Sequence, residues 1–183
     1  QGDSPVGAMV AFINGEPAKK LYRKFHIEHK EARDDLFSMK EVITRHYSRL
    51  KLEGKKYPDL ILVDGGFIQI KAAKEALDSI ELNIPVFGLY KNNKHQTEGV
   101  MDIDSNTYVF DNKSIFFLLT RMQDEVHRFA ITFHKSLRNK KMTKSILDDI
   151  PGLGKKRKEI LTKAFQDIHS LKNATIEELK QFL

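Results

Sequence analysis

The run Leu60-Ile61-Leu62-Val63 does most to constrain what this chain can become. It is short, wholly apolar, preceded by Pro58 and followed by Asp64-Gly65-Gly66. A strand with one wet face alternates apolar and polar residues. An unbroken apolar run of this length between turn formers fits a strand buried on both faces. Such a strand needs a sheet with helices on each side, which is an α/β architecture. "IPVFGLY" (84–90) has the same character and predicts a second buried strand.

The segments around these strands supply the covering helices. Leu36, Met39, Val42, Ile43, Tyr47 and Leu50 recur at helical spacing, with Asp34 or Asp35 placed to cap the start and Gly54 to end the helix. "IQIKAAKEALDSIEL" reads as another helix, and Ser114 to about Arg138 as a long amphipathic one. "VGAMVAFING" and "KKLYRKFHI" predict a hairpin around Asn14-Gly15, and "VMDI" with "TYVF" a smaller one. "RNKKMTKS" (138–145) reads as a linker, which sets a domain boundary near 139–145: one domain over 1–140 and a small all-α domain over 141–183. In the latter, "SILDDI", "KKRKEILTKAF", "IHSLKN" and "TIEELKQFL" read as short helices.

Composition excludes several classes. No cysteine means no disulfide and no thiolate zinc site, consistent with a reducing cytoplasm. No stretch of 18 apolar residues and no basic-then-apolar leader is present. The sequence opens without an initiator methionine, so the expectation is a piece of a longer protein. The net charge of +6 is concentrated: residues 135–158 hold nine Lys or Arg against Asp148 and Asp149, leaving the remainder near neutral. A localised basic segment suits a polyanion, because neutralising phosphates releases counterions.

"DDIPGLGKKRKEIL" gives that charge a shape. Gly152 and Gly154 can turn backbone amides toward a phosphate, the following helix start adds its dipole, and Lys155, Lys156 and Arg157 add full charges. The pattern resembles a helix-hairpin-helix, which grips DNA backbone without reading sequence. An ordinary helix–helix turn with glycine caps is the alternative. "ATIEELKQFL" resembles the first helix of a second copy, which stops short of its hairpin.

Three residues stand out as candidates for chemistry. Asp64 ends a buried strand, at the edge where α/β folds gather their sites. It reads either as a solvated cap or as a ligand for a hard cation such as Mg2+ or Mn2+, which polarises a phosphoryl group and activates water. Asp35 reads as a helix cap or a supporting acid. His127, one residue past Val126 at the edge of the apolar stripe, reads as a surface histidine or as an acid–base group.

Taken together, "PVGAMVAF.NG.PAK..YRKF.I", "DD..SM.EV..R.YSRL", "PDLILVDGG..Q", "IPV.GL.K", "TEG", "R..DE.HRFAI..H...R" and "DDIPG.G.KR...L...F" resemble the C-terminal half of the UvrC family, the nuclease subunit of bacterial UvrABC excision repair. The resemblance covers essentially the whole chain. It implies an RNase H-like mixed sheet flanked by helices, then a helix-hairpin-helix domain. It further implies a cytoplasmic, Mg2+- or Mn2+-dependent DNA endonuclease that makes the 5′ incision beside a lesion. The family's metal-site aspartate falls on Asp64, its histidine on His127 and a further functional aspartate on Asp35. The implied partners are damaged duplex or junction DNA, touched by the helix-hairpin-helix residues, and UvrB through a segment outside this sequence. Arg23, Arg121 and Arg128 read either as further phosphate partners or as salt-bridged surface arginines.

Two departures qualify the match. The family carries another aspartate on a strand just upstream of "QGDSPVGAMV"; Asp3 belongs to the following loop and does not replace it. The expectation is therefore weak metal binding and poor cleavage by these residues alone. After Gly66 the family continues Lys-Gly-Gln where this chain has Phe67-Ile68-Gln69, leaving the lysine's role to Lys71 or Lys91. The competing readings are a junction-binding module with a degenerate nuclease domain, and a ribonuclease H acting on RNA–DNA hybrids.

Overall fold

The computed structural model describes residues 6–27, 35–91, 97–165 and 167–182, with Asp35 described by its backbone only. Residues 1–129 and 130–183 form two compact units.

The first unit opens on a ribbon. β1 (Val6–Met9) pairs antiparallel with β4 (Arg23–His26), in register from Val6 opposite His26 to Met9 opposite Arg23. Between them β2 (Phe12–Ile13) and β3 (Glu16–Pro17) close around Asn14 and Gly15, at φ 52° and 79°. Two successive positive φ values are what a tight hairpin with right-handed twist requires, and Asn-Gly tolerates them. The predicted strand "KKLYRKFHI" is shorter than expected. Lys19–Leu21 form a 3-10 turn, and the Arg23 guanidinium donates to the carbonyls of Lys20 (2.9 Å) and Tyr22 (2.7 Å), fixing the bend before the strand starts.

α1 (Asp35–Leu52) ends at Gly54, φ 59°, where Lys55 N–H reaches back to the Leu50 carbonyl. A left-handed glycine satisfying a terminal carbonyl is the stop the sequence predicts. β5 (Ile61–Val63), α2 (Phe67–Asp78) and β6 (Val86–Lys91) make a parallel β-α-β unit. β7 (Thr97–Met101) and β8 (Thr107–Val109) continue the sheet antiparallel, in the order β5-β6-β7-β8. The small predicted hairpin is β7–β8.

The apolar run of β5 is used on both faces. Val63 and Ile61 pack with Ile43 and Tyr47 of α1 and with Ile70, Ala73 and Leu77 of α2. Leu62 packs on the opposite cluster of Leu89, Val100 and Leu119, the last from α3 (Lys113–Asp148). Helix packing over one face therefore needs close approach. At Gly88 of β6 an added Cβ would lie 2.1 Å from the Gly65 carbonyl oxygen and 3.0 Å from Ile70 Cδ1, so the absence of a side chain lets the turn after Asp64 seat against the sheet.

α3 corrects the sequence reading of its second half. The predicted helix to Arg138, linker 138–145 and new helix are one continuous helix. "RNKKMTKS" contains no Pro or Gly, and Thr143 stands on the buried side between Phe133 and Leu147. The Thr143 hydroxyl donates to the Asn139 carbonyl at 3.0 Å, which lets a polar letter occupy an apolar position. Beyond α3 the second unit holds α4 (Lys155–Ala164), α5 (Ile168–Asn173) and α6 (Ile176–Lys180). Asp167 caps α5, and Thr175 with Glu178 forms a reciprocal capping box on α6. Among the described residues, no helix is long and apolar enough to cross a membrane.

Candidate active site

Three elements deliver side chains to the carboxyl end of β5. Asp64 follows the last residue of that strand, and its side chain is 28% exposed. Lys91 ends β6, the parallel neighbour, and its ammonium lies 2.8 Å from Asp64 Oδ1. α3 contributes from one ridge: Leu119, Gln123 and His127 follow at intervals of four and so stack along one face. Leu119 is buried under the sheet, Gln123 is 9% exposed, and His127 stands half out at the rim. Gln123 Nε2 donates to Asp64 Oδ1 at 3.1 Å, and His127 Nε2 lies 3.1 Å from Asp64 Oδ2.

The amide of Gln123 has a fixed sense. Its Oε1 accepts from the hydroxyl of Thr97 on β7, which is buried, so its N–H group faces the carboxylate. Burial pushes the Asp64 carboxyl up. The Lys91 ammonium, the Gln123 amide and His127 more than offset this, and the net effect holds it below the ordinary carboxylate range. Asp64 is thus a carboxylate at neutral pH, with Oδ1 taken by two donors and Oδ2 facing the histidine alone among the described residues.

That donor set fits a hard divalent cation in kind. Mg2+ is often held by only one or two carboxylates, keeps several waters and completes its shell with substrate phosphate oxygens. Asp64 could offer Oδ2, whose one side-chain neighbour among the described residues is His127. Among the described residues no cluster of three or more His, Cys, Asp or Glu could hold a metal by itself.

The other predicted residues are placed as follows. Asp35 is the first residue of α1, and its side chain lies outside the described residues, as do Asp34 and Asp3. Of the two lysines proposed to replace the one missing after Gly66, Lys91 reaches Asp64. Lys71 lies 3.9 Å from Glu75 and lines a groove with Leu36, Phe37, Lys40 and Ile68 instead. Arg23 is committed to backbone carbonyls, and Arg121 pairs with Glu16 at 3.1 Å. Arg128 is bidentate on Glu125, at 2.8 and 2.7 Å. That glutamate also accepts from the Tyr22 hydroxyl at 2.9 Å, while the Tyr22 ring meets Phe129 edge-on at 5.1 Å. These contacts fix α3 against the ribbon, on a different face from Gln123 and His127.

In the second unit Gly152 sits at φ 78°, and Gly154 precedes α4 without a side-chain cap. A Cβ on either would meet nothing within 4 Å, so the turn is open to an incoming group. Lys155, Lys156 and Arg157 are exposed in the first turn of α4, whereas Lys158 is tied to Asp148 at 3.0 Å.

Sequence reasoning did not single out Gln123 or Thr97. Gln123 is one helical turn before His127, and that offset is the signal that finds it. Thr97 opens the "TEG" motif but joins the site only through the register of β7.

The UvrC RNase H endonuclease domain family matches residues 1–131. Two curated relatives, each named UvrABC system protein C, come from Streptococcus equi subsp. zooepidemicus strain MGCS10565 and subsp. equi strain 4047. Each is 52% identical over 184 aligned positions, covering 99% of this chain. The chain spans 31% of their length. With its mixed sheet and covering helices, the chain belongs to the UvrC RNase H endonuclease domain family.

Proposed function

We propose that this chain is the catalytic part of a divalent-metal-dependent DNA endonuclease that makes the 5′ incision of nucleotide excision repair in the bacterial cytoplasm. The observation that carries the reading is the Asp64–His127 contact at the carboxyl end of β5, in a chain of this family. Asp64 would hold Mg2+ or Mn2+, which when bound supplies charge to the phosphoryl oxygens and a more acidic water. His127, half exposed beside the carboxylate, can take a proton from the attacking water or give one to the departing 3′ oxygen. The water oxygen forms the new bond to phosphorus, and the bond from phosphorus to the 3′ oxygen breaks. Asp35 would add negative charge to the site.

The open "PGLG" turn with Lys155, Lys156 and Arg157 supports DNA backbone binding of the helix-hairpin-helix kind by the second unit. Damaged duplex and junction DNA are the proposed substrates, with UvrB as protein partner through other parts of the longer protein.

The test is a nicking assay on lesion-bearing duplex with Mn2+ and the other UvrABC components, using the longer protein that includes the strand upstream of "QGDSPVGAMV". Asp64→Asn and His127→Ala are each expected to abolish the 5′ nick while leaving DNA binding intact. Full cleavage by both variants would refute the nuclease reading. One observation favours a non-catalytic junction binder, namely that both oxygens of Asp64 are already engaged by side chains. The same assay separates the two, since that reading predicts binding without metal-dependent nicking by the parent protein.

A further inference from the structure

The Asp64 carboxylate already has a resident cation. Lys91 Nζ sits 2.8 Å from Oδ1, and the lysine side chain is 33% exposed, so the ion pair is only partly wet. Both residues stand at the ends of adjacent, hydrogen-bonded parallel strands, Val63 opposite Gly88, which fixes their separation from the backbone up. Asp64 and Lys91 sum to zero charge. A dication approaching this pair gains little from the carboxylate, because the ammonium repels it over nearly the same distance. A phosphodiester changes the balance. It brings a negative charge and oxygen ligands for the metal, and it offers the ammonium a second anion.

We propose that Lys91 couples metal binding to substrate: it holds Asp64 in place and weakens metal capture by the free protein, and it pairs with the phosphate when DNA arrives. This rests on the nuclease reading and deepens it by assigning the order of loading and a positioning role that Lys71 cannot fill. The coupling is reciprocal, so metal and DNA each tighten the other. A unit charge a few ångströms from a dication, even screened as in water, changes its affinity by about tenfold.

The experiment measures Mn2+ affinity by electron paramagnetic resonance, with and without a phosphorothioate-linked single-strand/duplex junction that resists cleavage. For the parent protein the junction is expected to tighten Mn2+ by about tenfold or more. Lys91→Met is expected to tighten Mn2+ by about tenfold without DNA and to shrink the gain from the junction. Lys91→Gln reads the same quantity while keeping a donor for Oδ1, should methionine disturb the strand. Lys91→Arg keeps the charge and is expected to behave as the parent, and so is Lys71→Met. Unchanged or weaker Mn2+ binding by a folded Lys91→Gln protein, or a Lys91→Arg protein that tightens like Lys91→Met, overturns the inference. Asp64→Asn keeps the two readings apart. If it still binds Mn2+ like the parent, the metal is not at Asp64 and the underlying reading falls. If it loses Mn2+ while the Lys91 variants do nothing, only the role of Lys91 falls.

Discussion

The Thr97–Gln123 pair allows orientation to be separated from stability. Both residues are nearly closed to water, at 3% and 9% exposure, and each satisfies the other. Gln123→Leu strands the Thr97 hydroxyl, which costs about 1–3 kcal/mol of desolvation. It also removes the amide bond to Asp64, worth about 1 kcal/mol here because Lys91 still serves the same oxygen. The single variant should therefore lose about 2–4 kcal/mol. Thr97→Val strands the amide oxygen instead, at a similar desolvation cost, and removes the bond that anchors the amide opposite the carboxylate. The double variant replaces both partners with apolar groups of like shape, for which the missing hydrogen bond is nearly neutral. It should recover to within about 1 kcal/mol of the parent, giving a coupling of about 2–6 kcal/mol in a double-mutant cycle read by urea unfolding. Cleavage should not recover. Asp64 still lacks its orienting donor, so the nicking rate stays down by about 10–100-fold, as for partners that orient metal ligands. Thr97→Ser, which keeps the hydroxyl, should retain most of the rate. Single costs that simply add in the double variant, within about 0.5 kcal/mol, would refute the shared-bond argument. A double variant with full cleavage would refute the orienting role.

Further outcomes follow from other interactions in the fold. Gly88→Ala places a methyl 2.1 Å from the Gly65 carbonyl oxygen, which must move; a loss of about 1–3 kcal/mol is expected by thermal or urea unfolding, and an unchanged Tm would mean the turn after Asp64 shifts freely. Hydrogen bonds from Arg128, opposed by partial burial and joined by Tyr22, lower the Glu125 carboxyl from its ordinary 4.5 to about 2. Its folded value is the depressed one, so its stabilising contribution is complete above about pH 4.5 and is lost as pH falls toward 2. Glu125→Gln should flatten that part of the stability–pH curve, and an unaltered curve would show that the pair adds nothing. Replacing Lys155, Lys156 and Arg157 by alanine should weaken DNA binding regardless of sequence. The salt slope should fall by about 1 for each phosphate that is no longer neutralised, and an unchanged slope would remove these residues from the interface.

How much of this is legible in the sequence depends on the range of each interaction. The two-sided burial of Ile61–Val63 follows from unbroken apolarity, and alternation then sends Val63 to α1 and α2 and Leu62 toward α3, whereas Leu60 lies before the strand and is exposed. The Asn14-Gly15 turn and the Gly54 stop are local backbone requirements, so their letters announce them. The linker expected within α3 fails because Thr143 counts as polar in a reading by composition. Its hydroxyl is satisfied within the helix, one turn back, leaving its methyl free to be buried, and composition alone does not reveal that. The site lies between these cases. Asp64 and His127 are visible as a strand end and a stripe edge, but their contact depends on the rotation of α3, which Tyr22 and Glu125 set from 103 residues apart.

Lys91 and Thr97 belong to strands whose register no local pattern fixes, because a shift of one residue would turn either side chain to the opposite face. The structure supplies that register: Val63 opposite Gly88 aligns β5 with β6, and Lys91 opposite Thr97 aligns β6 with β7 across a bulge at Tyr90 and Lys91. The bulge bears directly on the site. An extra residue in one strand breaks the simple alternation and re-aims the side chains that follow it. Lys91 ends β6 at that irregularity and reaches Asp64 on one flank, while Thr97 across the bulge reaches Gln123. A carboxylate held by donors from β6 and α3 is fixed by sheet register and helix rotation at once. Its orientation is therefore a property of the assembled sheet, and a change in either register should alter metal binding even where Asp64 and His127 are intact.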